Sequence, residues 1–239
     1  MTKAVFREDG LALADCVLST RDFRSLCREV AHGEYRWVHA QKWDKAWQLW
    51  DGHPLRGESV YFDPNRVFGW KGATYPTSTS LDLLIEEVRL MSAACPDIAG
   101  VEGIDWIALY LSPWLYPVGS ALSLHQDAER YAGSFTFFAH PQWNVHWGGE
   151  LLVSPAPTAS TAKSAQSMPE LAIHGGSEPW TSDNANCGDD DPGVAICVSP
   201  KPNRLVLIGP DRPHRVARVD ENAGTRVRSS IAGFFLRPR

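Results

Sequence analysis

The sequence predicts an α+β fold that is mainly β, in which a sandwich or jelly roll of strands is braced by N-terminal helices. Helical patterns are concentrated in the first hundred residues. From Ile104 onward, short runs rich in Ile, Val, Phe, Leu and Tyr alternate with Gly, Pro and Asp, which is typical of strands and turns. Helices followed by many strands favour a jelly roll with helices packed on one face. We therefore expect one domain over residues 1–239, with a mainly helical support region at 1–100 and a jelly-roll core at 104–236.

Two helices are predicted in the support region. Residues 20–32 follow the cap candidates Ser19 and Thr20 and place apolar side chains at helical spacing. A stronger pattern follows Thr79 and should end at Pro96. The apolar positions of the two helices are Phe23, Leu26, Cys27 and Val30, then Leu81, Leu84, Ile85, Val88 and Met91. Each helix therefore has one apolar face that can pack on a sheet.

Three tryptophans recur at helical spacing between the two predicted helices. Trp43, Trp47 and Trp50 stand at positions i, i+4 and i+7. Such a stripe can line a substrate entrance, but it more often packs in a core. The pattern by itself therefore predicts burial rather than a binding site.

The jelly-roll core should contain seven or eight strands. The runs that predict them lie near 104–111, 134–139, 149–154, 194–199, 204–209, 214–219 and 226–236. Residues 155–192 interrupt this series with a loose stretch rich in Ser, Ala, Asn and Asp. A connection of that length inside a domain is usually a functional lid or an insertion, and both readings remain open.

Composition excludes several functional classes. The net charge of −5 and the apolar share of 44% are those of an ordinary soluble protein and give no reason to expect a nucleic-acid or membrane partner. The five cysteines are spread out, so neither a disulfide framework nor a zinc ribbon is indicated. The first residues lack the apolar run of a signal peptide, so we expect a cytoplasmic protein.

A possible metal site centres on the triplet His125-Gln126-Asp127. In an extended segment, side chains two residues apart point to the same side, so His125 and Asp127 can bind one metal ion together. A second histidine from a distant strand would complete a facial triad of two histidines and one carboxylate, which holds Fe(II) with open coordination positions. His214 is the candidate.

The last predicted strand carries a possible carboxylate-binding pair. Strand alternation places Arg226, Arg228 and Ser230 on one face. An arginine and a serine two residues apart present a planar guanidinium and a hydroxyl to the same side. This pair suits a carboxylate, which arginine can bind through two parallel hydrogen bonds.

Taken together, these motifs resemble the Fe(II)/2-oxoglutarate-dependent oxygenases, and specifically their prolyl-4-hydroxylase-like branch. The motifs occur in the expected order along the chain. They are Tyr116-x-x-Gly119-x-x-Leu122-x-x-His125-x-Asp127, Trp147-Gly148-Gly149-Glu150-Leu151, Pro200-Lys201-Pro202-Asn203-Arg204-Leu205-Val206-Leu207, His214 and Arg228-x-Ser230. The resemblance implies a double-stranded β-helix, which is a jelly roll of the cupin type with the metal at its open end.

The resemblance also implies roles for individual residues. The iron ligands would be His125, Asp127 and His214. Arg228 would bind the distal carboxylate of 2-oxoglutarate, with Ser230 and Tyr116 as further contacts. Arg226 is a rival for this role. Arg228 matches the family better because it precedes Gly233 by five residues and begins the Arg-x-Ser motif.

The implied activity is a dioxygenase reaction that consumes O2 and 2-oxoglutarate and releases succinate and CO2. Halogenases of this fold replace the carboxylate ligand by Gly or Ala, so the presence of Asp127 favours hydroxylation or a related oxidation. A small substrate such as a free amino acid or a biosynthetic intermediate is expected. Hydroxylation of a peptidyl proline and a non-catalytic cupin-like metal-binding protein are the alternatives. His140, His146 and His174 are expected to be structural or surface residues.

Overall fold

The computed structural model describes residues 6–8, 10–38, 49–70, 72–156, 185–186 and 193–238. Within these residues, three α-helices span Thr20–His32 (α1), Ser80–Ala94 (α2) and Pro96–Ala99 (α3). The strands are β1 Phe6–Glu8, β2 Leu11–Asp15, β3 Tyr35–Trp37, β4 Leu55–Gly57, β5 Val60–Phe62, β6 Ala73–Thr74, β7 Ala108–Tyr116, β8 Leu122–Gln126, β9 Tyr131–Phe138, β10 Leu151–Val153, β11 Ala185–Asn186, β12 Ile196–Val198, β13 Arg204–Ile208, β14 His214–Val216 and β15 Arg228–Leu236. Short 3-10 turns occur at Leu49–Asp51, Val145–Trp147 and Glu221–Ala223.

The strands form two sheets. The larger sheet has the order β1-β2-β13-β9-β15-β7-β4-β3, with β5 and β6 attached through β7, and the smaller sheet has the order β11-β8-β14-β10-β12. All pairings are antiparallel within the described residues except that between β5 and β6. Apolar side chains from both sheets meet in two shared clusters. The predicted mainly β jelly roll is therefore confirmed.

The pleat of β15 separates the helix side of the larger sheet from the side that faces the smaller sheet. Ile231 and Phe235 belong to the large core cluster that includes the helices. Arg228 and Ser230 alternate with them and line a cavity between the two sheets. The central strand thus contributes to the core on one face and to a polar site on the other.

Helices α1 and α2 begin at capping residues and cover the outer face of the larger sheet. Ser19 accepts a hydrogen bond from the Asp22 amide at 3.2 Å, and Thr79 accepts one from the Leu81 amide at 3.3 Å. The buried positions of α1 are those that the sequence predicts. Both predicted helices are confirmed, although Pro96 begins α3 as well as ending the α2 pattern.

The first hundred residues differ from the prediction of a mainly helical region. They also contain the six short strands β1–β6, which extend the larger sheet because their backbones pair at its edges. Strands of two to five residues give too little periodicity to be recognised in the sequence.

Two predicted features lie largely outside the described residues. Trp43 and Trp47 lie outside the described residues. Trp50 is 68% exposed in a 3-10 turn, so this residue does not pack in a core as the stripe predicts. Within the 155–192 stretch, Ala185 and Asn186 form β11 and pair with Gln126 and His125 of β8. None of the helices in the described part of the chain is long and apolar enough to cross a membrane.

Candidate active site

The structure brings His125, Asp127 and His214 together at one end of the smaller sheet. His125 lies near the end of β8, His214 begins β14, and these two residues face each other in the antiparallel register. Asp127 follows β8 directly. The carboxylate oxygens of Asp127 lie 3.8 Å from His125 Nε2 and 3.9 Å from His214 Nε2. Their potential ligand atoms all lie within 4.8 Å of one another, which is the proximity that one shared metal ion requires.

Backbone carbonyl groups orient both histidine rings. His125 Nδ1 donates to the Ser123 carbonyl at 2.9 Å, and His214 Nδ1 donates to the Arg212 carbonyl at 2.9 Å. When Nδ1 carries the proton, the lone pair of Nε2 is available as a ligand. Burial, reinforced by the neighbouring His214, lowers the pKa of His125 to about 4, so this ring is neutral at physiological pH.

Asp127 supplies a buried carboxylate that lacks a full set of partners. Its side chain is 7% exposed, and its Oδ1 atom has no hydrogen-bond partner within the described residues. A buried carboxylate without compensation is costly, and a cation between the two imidazoles would offset that cost. Two imidazoles and one carboxylate form the donor set of a facial-triad iron site, so these residues fit Fe(II).

Arg228 lies in the same inter-sheet space and is 1% exposed. Its Nε donates to the Gly149 carbonyl at 2.7 Å and its Nη1 donates to Ser230 Oγ at 3.0 Å. Its Nη2 has no hydrogen-bond partner, and no ion pair of Arg228 occurs within the part of the chain that is described. Burial lowers the pKa of Arg228 to about 10. A buried guanidinium with an unpaired N–H group fits an anionic ligand.

Neighbouring residues fix the position of this guanidinium. The Arg228 guanidinium carbon lies 5.0 Å from the Tyr116 ring centroid and 5.1 Å from that of Phe138. Gly149 has a positive φ of 73°, and a Cβ atom there would lie 2.8 Å from Arg228 Cδ. The second glycine of the Trp-Gly-Gly sequence therefore leaves the space that the arginine occupies.

Arg226 does not share this position. It is exposed and precedes β15, and its guanidinium carbon lies 5.3 Å from the Trp147 ring centroid. The strand alternation that the sequence predicts for residues 226, 228 and 230 therefore applies to Arg228 and Ser230 only.

One cavity connects the two groups of residues. It has a volume of about 60 Å³ and is lined by His125, His214, Tyr116, Arg228 and Ser230 together with apolar side chains. Asp127 lies next to two of the lining residues, His125 and His214. The structure therefore brings all six predicted site residues into one region between the sheets.

Asp51 is linked to His125 through Ser123, and the sequence does not reveal this link. It is 2% exposed, and its carboxylate accepts the Ser123 amide at 3.1 Å and the Ser123 hydroxyl at 2.9 Å. The carbonyl of the same serine orients His125. The only local signal is an acidic residue beside Trp50, whose indole N–H also donates to the Ser123 hydroxyl at 3.1 Å.

His140 and His146 are not part of the metal-site cluster. His140 is 2% exposed, and its Nε2 donates to the Pro200 carbonyl at 2.7 Å. Its Nδ1 lies 3.0 Å from the Ser229 carbonyl oxygen and 3.3 Å from the Ser229 amide nitrogen. His146 is exposed, and His174 lies outside the described residues.

The comparisons with known proteins identify the fold. No protein-family model matches the sequence, and no curated protein matches it either. A prolyl-4-hydroxylase from Pseudomonas putida superposes with a TM-score of 0.57 at 18% identity, covering 95% of this chain and 93% of that one. A Trichoplax adhaerens prolyl hydroxylase in complex with a hypoxia-inducible-factor peptide superposes with a TM-score of 0.54 at 13% identity, covering 95% and 84%.

A third similar structure contains a small molecule. The epimerase SnoN, in complex with Fe3+, alpha ketoglutarate and nogalamycin RO, superposes with a TM-score of 0.51 at 13% identity, covering 96% of this chain and 79% of that one. The chain therefore has the jelly-roll fold of the prolyl-4-hydroxylases and the wider 2-oxoglutarate/Fe(II) oxygenases.

Proposed function

We propose that the protein is an Fe(II)- and 2-oxoglutarate-dependent oxygenase that hydroxylates a small molecule. The inter-sheet cavity supports this proposal, because one end suits a cation and the other end suits an anion. One end presents two imidazole lone pairs and a buried carboxylate, and the other presents a buried guanidinium with an unpaired N–H group. A metal ion together with a ligand that carries a distal carboxylate would satisfy both ends.

Each predicted residue has a role in this proposal. His125, Asp127 and His214 would hold Fe(II), while Arg228 and Ser230 would bind the distal carboxylate of 2-oxoglutarate beside Tyr116. Bound Fe(II) and 2-oxoglutarate supply the activation of O2 for oxidation of the substrate, with succinate and CO2 as co-products. Asp127 fills the carboxylate position of the triad, which supports hydroxylation rather than halogenation.

The protein contributes orientation and exclusion of water. The Nδ1 hydrogen bonds of the two histidines fix which nitrogen faces the metal position. Leu122, Leu151 and Val216 line the cavity with apolar surface. A carboxylate bound by Arg228 in this surrounding is weakly screened, so its attraction to the guanidinium is stronger than it would be in water.

Anaerobic titration with Fe(II) and 2-oxoglutarate tests this proposal. A weak visible charge-transfer band is expected for the wild type and for His146→Ala, which removes an exposed histidine. The band should be absent in Asp127→Ala and His214→Ala. An unchanged band in both of these variants would refute the metal triad.

Two alternatives are distinguished by product formation. A peptidyl-proline hydroxylase is supported by the prolyl hydroxylases of the same fold, one of which was solved with a peptide. Peptides rather than free metabolites would then stimulate succinate release. A non-catalytic metal-binding protein would not need the unpaired Arg228, and it would release no succinate under any condition.

A further inference from the structure

Two further cavities share the side chain of Arg237. One, of about 210 Å³, is lined by the metal-site residue Asp127 and by Glu129, Asp211 and Arg237. The other, of about 270 Å³, is lined by aromatic side chains, by Arg130 and again by Arg237. Each approaches the lower end of the size range of small-molecule sites. Arg237 thus lies where an acidic cavity beside the metal position meets an aromatic one.

The aromatic cavity has a preformed wall of aromatic side chains. Phe68, Trp70 and Tyr110 line it. Trp70 stacks on Tyr61 with the ring centroids 4.6 Å apart and the planes at 10°, and Phe68 lies 5.5 Å from Trp70 at 27°. Rings that hold one another in place offer aromatic surface to a ligand at little cost in side-chain entropy.

The aromatic wall reaches the inner cavity through one side chain. Phe234 stacks on Tyr110 with a centroid distance of 5.1 Å and on Tyr131 with a distance of 4.4 Å. It also lines the inner cavity that contains His125 and Arg228. Phe234 therefore links the aromatic wall to the inner cavity.

Arg237 is an exposed residue whose guanidinium is held at Nε. Its Nε lies 3.1 Å from the Glu129 carbonyl and 3.2 Å from the Tyr131 carbonyl. Within the described residues, Nη1 and Nη2 make no hydrogen bond, and Arg237 forms no ion pair. A guanidinium anchored at Nε presents two N–H pairs to a carboxylate.

We propose that these two cavities form the substrate site for a free aromatic α-amino acid. The ring would lie against Phe68, Trp70 and Tyr110, and the carboxylate would bind Arg237. The ammonium group would face the carboxylates of Glu129 and Asp211. This proposal rests on the proposed function, because it places the substrate beside the metal ligand Asp127.

The arrangement of charges selects this class over its neighbours. A free α-amino acid carries both signs on one carbon atom, which matches an arginine that lines one cavity together with two carboxylates. A residue inside a peptide lacks both charges, and an aliphatic amino acid leaves the aromatic wall uncovered. Each of these two ligands would leave charged or aromatic side chains of the site without a partner.

Calorimetric titration of the metal-free protein with four probes tests the assignment. L-tryptophan should bind, whereas L-tryptophan amide, N-acetyl-L-tryptophan and L-norleucine, which lack the carboxylate, the ammonium and the ring in turn, should each bind about tenfold more weakly or worse. Equal affinity for all four probes, or no heat with any of them, would overturn the proposal.

A pair of arginine variants locates the binding. Arg237→Gln should weaken L-tryptophan about tenfold and abolish its preference over the amide, while Arg226→Gln should change neither. Both variants should keep the wild-type melting temperature and the charge-transfer band. If the band persists but L-tryptophan affinity is the same in both variants, the substrate assignment fails and the oxygenase assignment stands. Loss of the band in the wild type would instead remove the oxygenase proposal.

Discussion

The two ends of the inter-sheet cavity carry opposite charges, and each lacks a partner of the other sign among the described residues. At the metal end, the buried Asp127 carboxylate and the imidazoles of His125 and His214 surround one position. At the other end, Arg228 is a buried cation that forms no ion pair with any described residue. Each end alone would destabilise the fold. In the proposed function, ligands of opposite sign complete the two ends, with the cation at the triad and the anion at the arginine.

The largest expected effect concerns the arginine end. Arg228→Ala should raise the 2-oxoglutarate concentration needed for half-saturation by at least about 30-fold, because a truncated buried charge contact costs on the order of 2–5 kcal/mol. Arg226→Ala is the matched control and should change it less than about twofold, since exposed charges contribute little. Titration of the charge-transfer band measures both. Equal shifts would mean that the arginine end is not the carboxylate site.

The two buried histidines His125 and His140 sharpen the same comparison. Burial lowers the pKa of each to about 4. Yet His125 keeps Nε2 for the metal position, whereas His140 uses it on the Pro200 carbonyl. Both ring nitrogens of His140 contact backbone groups, so we expect a structural role for this residue.

The pH dependence of stability tests this structural role. A histidine whose folded pKa is about 4 remains neutral while the unfolded chain takes up a proton near pH 6.5, so stability is lost as the pH falls from about 6.5 to 4. For His140 this loss is about 3 kcal/mol. In urea unfolding of the metal-free protein at pH 7 and pH 4, His140→Gln should lose correspondingly less than the wild type. Identical losses in the two proteins would show that His140 titrates normally.

Asp51 should affect the metal end only. Asp51→Asn replaces one of the two carboxylate oxygens that hold Ser123, so His125 should be less well oriented and Fe(II) affinity should fall about tenfold. The exposed Asp97→Asn is the control. Titration with Fe(II) under anaerobic conditions measures the affinity, and 2-oxoglutarate binding to the loaded protein should change little. An unaltered Fe(II) affinity would limit Asp51 to a structural role.

The smallest expected effect is at Ser230. Its hydroxyl accepts a hydrogen bond from Arg228 Nη1, so Ser230→Ala should weaken 2-oxoglutarate about fivefold, which corresponds to about 1 kcal/mol. Ser229→Ala changes the neighbouring residue on the opposite face of β15 and should have no such effect. Equal affinities in the two variants would remove Ser230 from the carboxylate site.

Much of the fold was predictable because local periodicity is written in the chain. The helices at residues 20–32 and after Thr79 follow from apolar spacing and caps, and both are confirmed. Most strands of the core lie in the predicted apolar runs. The short strands of the N-terminal region were missed because their pairing, rather than their sequence, makes them strands.

The sequence by itself determined which residues could form the site: the His-x-Asp spacing that puts His125 and Asp127 on one side, and an arginine two residues before a serine. Only the tertiary structure decided which distant groups join them. The pairing of β8 with β14 brings His214 opposite His125, and β15 begins at Arg228, which buries this arginine and leaves Arg226 exposed. Asp51 reaches Ser123 across 72 positions of the chain. The physical reason is that side-chain alternation is local, whereas strand pairing and burial depend on how the two sheets pack as a whole.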